Sequence, residues 1–139
     1  MAASIVGIVA VAGQVVKLAT DLHGIYDDMQ DAPKEAQNLR IGLQTLIDAL
    51  RGIGDFERRD TTGRLSKDLL RDFAAAVRSC RDTLNSLHKF TQQFKLPESR
   101  LINYEKMRWK LKEGEVRRIT QRIERDKTTI MVYLARMNL

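Results

Sequence analysis

The fold is decided by a leucine-rich stretch, LRIGLQTLIDALRGI, at residues 39–53. Its large apolar side chains recur at alternating spacings of four and three residues, at Leu39, Leu43, Leu46, Leu50 and Ile53. This spacing places all of them on one face of an α-helix, as in the seam of a coiled coil. Such a stripe is buried against other helices, so the stretch predicts a helical bundle. Gly52 and Gly54 are expected to end the helix.

The segment before this helix opens with an uncharged run. No Asp, Glu, Lys or Arg occurs from Met1 to Val16. Apolar residues recur at helical spacing from Ile8 to Met29, which predicts one long first helix over about residues 3–29. Its front is apolar nearly all round, a pattern typical of a deeply buried helix or of one that meets lipid or a partner. The sequence Asp31-Ala32-Pro33 is expected to break the chain before the next helix.

A secretory signal is the alternative interpretation of the same run. Residues 10–12 have the small-residue pattern of a cleavage site, but no positively charged segment precedes the apolar run. The helical spacing also continues unbroken to Ile25. The uncharged run is shorter than the ~20 residues of a membrane span. We therefore favour a long helix of the mature chain.

The remainder of the chain predicts further helices. A polar stretch at residues 55–64 is expected to form an exposed loop, and an apolar stripe predicts a third helix over 65–94 that ends before Pro97. A short fourth helix is expected within residues 98–112, and Gly114 marks a kink or turn before a last helix. The prediction is an all-α antiparallel helical bundle of four to five helices, with a long hydrophobic N-terminal helix, in a single domain over residues 1–139.

The positive charge of the chain is confined to its C-terminal part. The net charge is +6, and residues 100–139 alone carry eleven Lys/Arg against five Asp/Glu. Arg118, Arg122, Arg125 and Arg136 share one face of the last helix. This basic face is either a solvated surface or a binding site for an acidic partner, such as anionic lipid or nucleic acid. It has few aromatic residues, which argues against single-stranded nucleic acid.

No pattern in the chain indicates catalysis. It has no phosphate-binding loop, no nucleophile-elbow motif and no zinc-protease motif. The two histidines and one cysteine are too few for a zinc site, and neither a cofactor nor a metal is predicted. The cysteine, Cys80, falls in an apolar stripe and is expected to be a small core residue. A single cysteine also fits a cytoplasmic location.

The chain resembles the HeLo-like N-terminal domains of fungal STAND or NLR receptors and of some cell-death executioners. The resemblance is carried by ASIVGIVAVAGQVV at residues 3–16 and by DAPKE at 31–35, together with the leucine-rich helix that follows. It extends through WKLKEGEV at 109–116 and RIERDK at 122–127, and so covers nearly the whole chain. It implies a bundle similar to the HET-S HeLo domain and to the mixed-lineage kinase-like executioner of animal necroptosis.

The resemblance also implies a function. Such domains oligomerise on activation, move from the cytoplasm to the plasma membrane, bind anionic lipids and release an apolar N-terminal helix that permeabilises the bilayer. An NLR or amyloid-signalling protein would be a further partner. The expected membrane-inserting residues here are Ile5, Val6, Gly7, Ile8, Val9, Gly13 and Val16. The expected anionic-lipid-binding residues are Arg118, Arg122 and Arg125.

Two other hypotheses remain open at the level of sequence. In the first, the chain is an adaptor or oligomerisation domain of a fungal NLR and uses its helices for protein contacts only. In the second and weaker one, the arginine face binds nucleic acid, although no DNA-reading motif occurs. Neither hypothesis requires the chain to have catalytic activity.

Overall fold

The computed structural model describes residues 4–59, 66–97 and 101–137, and for residues 56–59 it describes the backbone only. The described residues form five α-helices. These are α1 (Ile5–Asp27), α2 (Lys34–Arg59), α3 (Lys67–Gln92), α4 (Tyr104–Lys112) and α5 (Arg117–Met137). The expected helix start at residue 3, the second half of the expected loop (60–64) and residues 98–100 lie outside the described residues. The first half of that loop, residues 55–59, is helical and forms the end of α2, so the predicted loop is wrong there.

The four long helices form a bundle in which α1 and α5 occupy opposite corners. Both α2 and α3 pack against α1, and both also pack against α5. A hydrogen bond between Tyr26 and Thr91 joins the ends of α1 and α3. The rings of Phe73 and Tyr133 join the start of α3 to the end of α5, with centroids 5.7 Å apart. Successive long helices therefore run in opposite directions, and the predicted all-α antiparallel bundle with a long apolar first helix is confirmed.

The core follows the stripes that the sequence predicts. The leucine-rich face of α2 is completely inside, with Leu39, Leu43, Leu46, Leu50 and Ile53 all no more than 1% exposed. Leu22 of α1, Cys80 of α3 and Ile123 of α5 meet it in the centre of the bundle. Cys80 is fully buried, so its prediction as a small core residue is confirmed.

The two glycines in α2 do not end the helix, so that prediction is wrong. The helix continues past Gly52 and Gly54 to Arg59. A Cβ atom at Gly52 would lie 3.3 Å from Leu134 Cδ1 of α5. One at Gly42 would lie 3.5 Å from Ile123 Cγ2, also in α5. The contact at Gly42 would be an ordinary van der Waals contact, whereas the one at Gly52 would be tight. Glycine at position 52 therefore lets α2 and α5 approach closely, which sequence spacing alone does not distinguish from a helix stop.

The connection from α3 to α4 is short and hydrogen-bonded. An isolated antiparallel bridge pairs Lys95 with Ile102. Asn103 then caps α4, since its side-chain oxygen accepts from the backbone N–H of Lys106 at 3.2 Å. The turn expected at Gly114 is present, because this glycine has a φ of +87° between α4 and α5. The short fourth helix thus lies within the range that the sequence predicts.

Candidate membrane-binding surfaces on helices α1 and α5

Helix α1 is apolar along most of its length. Ser4 caps its start, and the Ser4 hydroxyl accepts from the backbone N–H of Gly7 at 3.1 Å. Among the described residues, α1 is the one helix that is long and apolar enough to cross a membrane. Core helices and signal sequences share that property. Only 28% of the residues in its most apolar 18-residue window are buried, however, which is little for a core helix.

The predicted membrane-inserting residues point in several directions around α1. Ile8 is 3% exposed and faces the core. Ile5, Val9 and Val16 are half-buried against the core, as expected for residues at its edge. Val6 is 64% exposed, and both Gly7 and Gly13 are exposed. The structure thus brings these residues onto one helix but not onto one surface.

The outward face of α1 includes Val6, Ala10, Gly13 and Lys17, all of them exposed, and the exposed Gln14 lies at its edge. These positions recur at spacings of three and four residues and therefore share one side of the helix. Apart from the neighbouring residues and backbone of α1 itself, no part of the described protein lies within 4 Å of a Cβ atom built at Gly13. The front of this face is small and apolar, and its first charge is Lys17.

The arginines predicted to bind anionic lipid lie on α5. Arg118, Arg122 and Arg125 are exposed, and they form no salt bridge with any of the described residues. Arg136 continues the row and lies over the ring of Tyr133, with its guanidinium carbon 5.9 Å from the ring centroid. We call Arg118, Arg122 and Arg125 the arginine face.

The arginine face and the outward face of α1 are on different sides of the molecule. Helices α1 and α5 stand at opposite corners, separated by α2 and α3. A flat lipid surface that contacts the arginine face therefore does not reach the outward face of α1 in the same orientation. The bundle has to rotate or α1 has to leave it before both meet one bilayer.

A buried carboxylate joins α3 to α5, and the sequence analysis did not predict it. Asp126 is 7% exposed and accepts hydrogen bonds from the hydroxyls of Ser79, at 2.9 Å, and Thr83, at 2.7 Å. It interrupts the apolar stripe between Ile123 and Ile130, and this interruption is the feature of the sequence from which a buried polar residue could have been predicted.

Burial, with a smaller effect of the Asp126 charge, raises the pKa of Cys80 to about 12. The thiol is therefore protonated and unreactive at neutral pH.

A cavity of about 240 Å³ opens between the first turns of α2 and α5. It is lined by Lys34, Glu35, Asn38, Val116, Arg117 and Thr120. Acidic and basic side chains both line it, so its charge does not favour a ligand of one sign.

The fold and these surfaces define a helical-bundle domain with an apolar first helix and a basic last helix. Within that class, the family described as "Pigment biosynthesis cluster protein PigL N-terminal" matches residues 1–139, and the chain belongs to it. Comparison with curated proteins gives no match, and comparison with solved structures gives none either.

Proposed function

We propose that this domain is a membrane-targeting effector that permeabilises a lipid bilayer when α1 leaves the bundle. The HeLo-like resemblance supplies the setting, which is induced cell death in a fungal immune-type signalling system. The family description names an N-terminal region of a pigment-cluster protein. This description fits a domain that acts together with further domains. The description itself names no activity.

One observation carries the proposal: α1 is apolar enough to span a membrane, yet most of its apolar window is not buried. A helix that served only the core would place its apolar residues inward and polar residues outward. Here the outward face instead begins with Val6, Ala10 and Gly13. An apolar helix with an unburied side is suited to an environment other than water.

The energetics favour a closed resting state and insertion by several copies together. The seven Ile/Val residues between Ile5 and Val16 favour insertion by roughly 2–4 kcal/mol, while Lys17 at mid-membrane costs about 3 kcal/mol. Withdrawal of Ile8 and Val15 from the core costs roughly 1.5–3 kcal/mol for each side chain. A single copy therefore keeps α1 in the bundle. Insertion requires neighbouring inserted helices, which reduce the free-energy cost of placing Lys17 in the membrane and replace the packing lost from the core.

The adaptor function is the second candidate, and the rear of α1 favours it. Val15, Ala19, Leu22 and Tyr26 are each no more than 1% exposed, so the second half of α1 is firmly held in the core. An adaptor keeps α1 in place and uses exposed apolar side chains, such as Val6 and Met131, for protein contacts. The two candidates therefore differ in whether α1 moves.

Leakage of dye from anionic vesicles tests the proposal. Val6→Glu places a charge in the apolar run at a position that is 64% exposed, so the bundle retains its packing. Ile41→Glu is the matched control, because Ile41 is 54% exposed and lies on α2. We expect Val6→Glu to abolish leakage and Ile41→Glu to retain it, with both proteins folded by circular dichroism. Equal leakage by both variants contradicts insertion of α1, and a parent protein that never causes leakage leaves the adaptor function.

A further inference from the structure

Exposed apolar side chains are concentrated at the end of the bundle where α3 stops and α4 lies. Leu96 is 39% exposed, and Leu101 and Trp109 are each 68% exposed. These are three of the seven exposed large hydrophobic side chains in the described residues, and they fall within one short stretch of chain. We call Leu96, Leu101 and Trp109 the α4-end surface. Large apolar groups left in water at one end of a molecule indicate a binding surface.

The backbone holds the two leucines of this surface together. The N–H of Leu96 donates to the carbonyl oxygen of Leu101 at 2.9 Å. Next to this pair, the N–H of Asn103 donates to the carbonyl oxygen of Phe94 at 2.7 Å. The two leucines therefore stand side by side immediately before α4 begins.

Helix α4 is fixed to the bundle and presents Trp109 on its outer side. Met107 and Leu111 are both fully buried and anchor its inner face. Arg108 Nη2 donates to the carbonyl oxygen of Gln30 at 2.8 Å and ties α4 to the connection between α1 and α2. Trp109 lies two residues from each buried anchor, and so on the opposite side of the helix.

The chain around this surface is strongly basic. Residues 95–118 carry eight Lys/Arg against four Glu, a net charge of +4. The ammonium group of Lys112 lies 5.6 Å from the centroid of the Trp109 ring. Lys106 is also exposed on α4, and Arg118 of the arginine face lies in the first turn of α5, a few residues after α4 ends. Apolar side chains and cations thus occupy the same end of the bundle.

We propose that the α4-end surface docks on the interface of an anionic lipid bilayer, with Trp109 at the level of the headgroups. This rests on the proposed membrane function and adds a docking site outside the arginine face. Tryptophan is enriched at membrane interfaces, where its ring is apolar and its N–H meets water. Neighbouring lysines and arginines add attraction to anionic lipid.

The chemistry of this surface favours lipid over other occupants. Two of its three apolar side chains are aliphatic, which offers no stacking platform for the bases of a single-stranded nucleic acid. A second copy of the chain would bring the same excess of cations face to face, and like charges across an interface repel. An anionic bilayer accommodates both the leucines and the lysines.

The emission of Trp109 reports on this surface alone, because it is the single tryptophan of the chain. The experiment uses large vesicles of phosphatidylcholine with phosphatidylserine, and of phosphatidylcholine alone, at low salt. We expect a blue shift of the emission with the anionic vesicles only. Binding is measured separately by sedimentation, so that variants without tryptophan are included. Trp109→Ser should weaken sedimentation about tenfold, while the matched control Ile41→Ser leaves it unchanged.

The outcomes separate this inference from the proposed function. Sedimentation of the parent with an unshifted emission, or equal sedimentation of Trp109→Ser, overturns the docking site and leaves membrane binding standing. If the parent protein sediments with neither kind of vesicle, both the docking site and the proposed membrane function are overturned. A blue shift that grows with protein concentration and needs no vesicles overturns the site in favour of self-association. A shift with oligonucleotides and none with vesicles overturns it in favour of nucleic acid.

Discussion

The hydroxyl groups of Tyr26 and Thr91 lie 2.8 Å apart inside the core, where they join the end of α1 to the end of α3. Thr91 also donates to the carbonyl oxygen of Leu87 at 2.9 Å, so it accepts from Tyr26. Among the described residues, no side-chain hydrogen bond joins the start of α1 to another helix; there Ser4 caps α1 itself and Val6 is exposed. If α1 leaves the bundle as proposed, we expect its release to begin at the N-terminal end and to meet its greatest resistance at Tyr26.

Tyr26→Phe tests this resistance. The change removes one buried hydrogen bond and leaves Thr91 bonded to Leu87, so we expect the free energy of unfolding to fall by about 1 kcal/mol. Hydrogen exchange in the second half of α1 should become faster. Tyr133→Phe is the control, since the Tyr133 hydroxyl makes no hydrogen bond with the described residues. A fall of equal size in both variants would contradict a special role for Tyr26.

Alkaline pH should destabilise the fold through two buried groups. Burial raises the pKa of Tyr26 from 10.0 to about 12, the bond to Thr91 lowering it slightly, and burial with the charge of Asp126 raises the pKa of Cys80 from 9.0 to about 12. Below pH 9 both groups are protonated in the folded and unfolded chains, so their contribution is fully present. The unfolded chain loses the Cys80 proton from about pH 9 and the Tyr26 proton from about pH 10, whereas the folded chain keeps both up to about pH 12. Stability should then fall by about 1.4 kcal/mol per pH unit for each group.

Urea unfolding between pH 8 and 11 measures this loss. In Cys80→Ala the thiol is absent and Tyr26 is the remaining one of these two buried groups, so the decline should begin near pH 10 instead of pH 9. An unchanged onset in that variant would show that the thiol does not contribute.

The helices of the bundle could be predicted from the sequence because each is specified by the spacing of residues within its own segment. The stripe from Leu39 to Ile53 predicts a buried helix face whichever helices pack against it. The break at Pro33 separates the end of α1 from the start of α2. The role of Gly52 could not be predicted, because it depends on Leu134 of a distant helix. The partners of Asp126 depend in the same way on which residues of α3 face α5.

In the candidate site, too, the position of a residue within its helix could be predicted, whereas the arrangement of the helices could not. Helical spacing predicts that Ile8 is on the buried stripe and Val6 is off it, and both are confirmed. The position of the arginine face relative to α1 requires the order of helices around the bundle, since α2 and α3 both separate α1 from α5. The spacing of residues within a helix carries no such information.

Charge reversal of the arginine face should prevent docking on anionic lipid. Each cation near such a surface contributes about 1 kcal/mol, so replacement of Arg118, Arg122 and Arg125 by Glu should abolish sedimentation with anionic vesicles at low salt. The control replaces Arg51, Arg78 and Lys89 by Glu, since all three are exposed on α2 or α3. Both variants change the net charge equally. Equal binding by the two variants would mean that total charge, and not the arginine face, controls docking.

Gly13→Ala separates a structural role of the outward face of α1 from a functional one. Apart from the neighbouring residues and backbone of α1 itself, no described atom lies within 4 Å of a Cβ atom at Gly13, so alanine fits there without strain. Alanine in place of glycine inside a helix should raise the free energy of unfolding by roughly 0.5–1 kcal/mol. If α1 inserts and associates with its copies, small residues are needed for close approach of the helices in lipid, and leakage should fall although the fold is more stable. Gly54→Ala is the control, because its Cβ position on α2 is equally open and its substitution stabilises the same bundle. Leakage that falls equally in both variants would instead attribute the effect to bundle stability, and unchanged leakage in Gly13→Ala would exclude packing of inserted helices through this face.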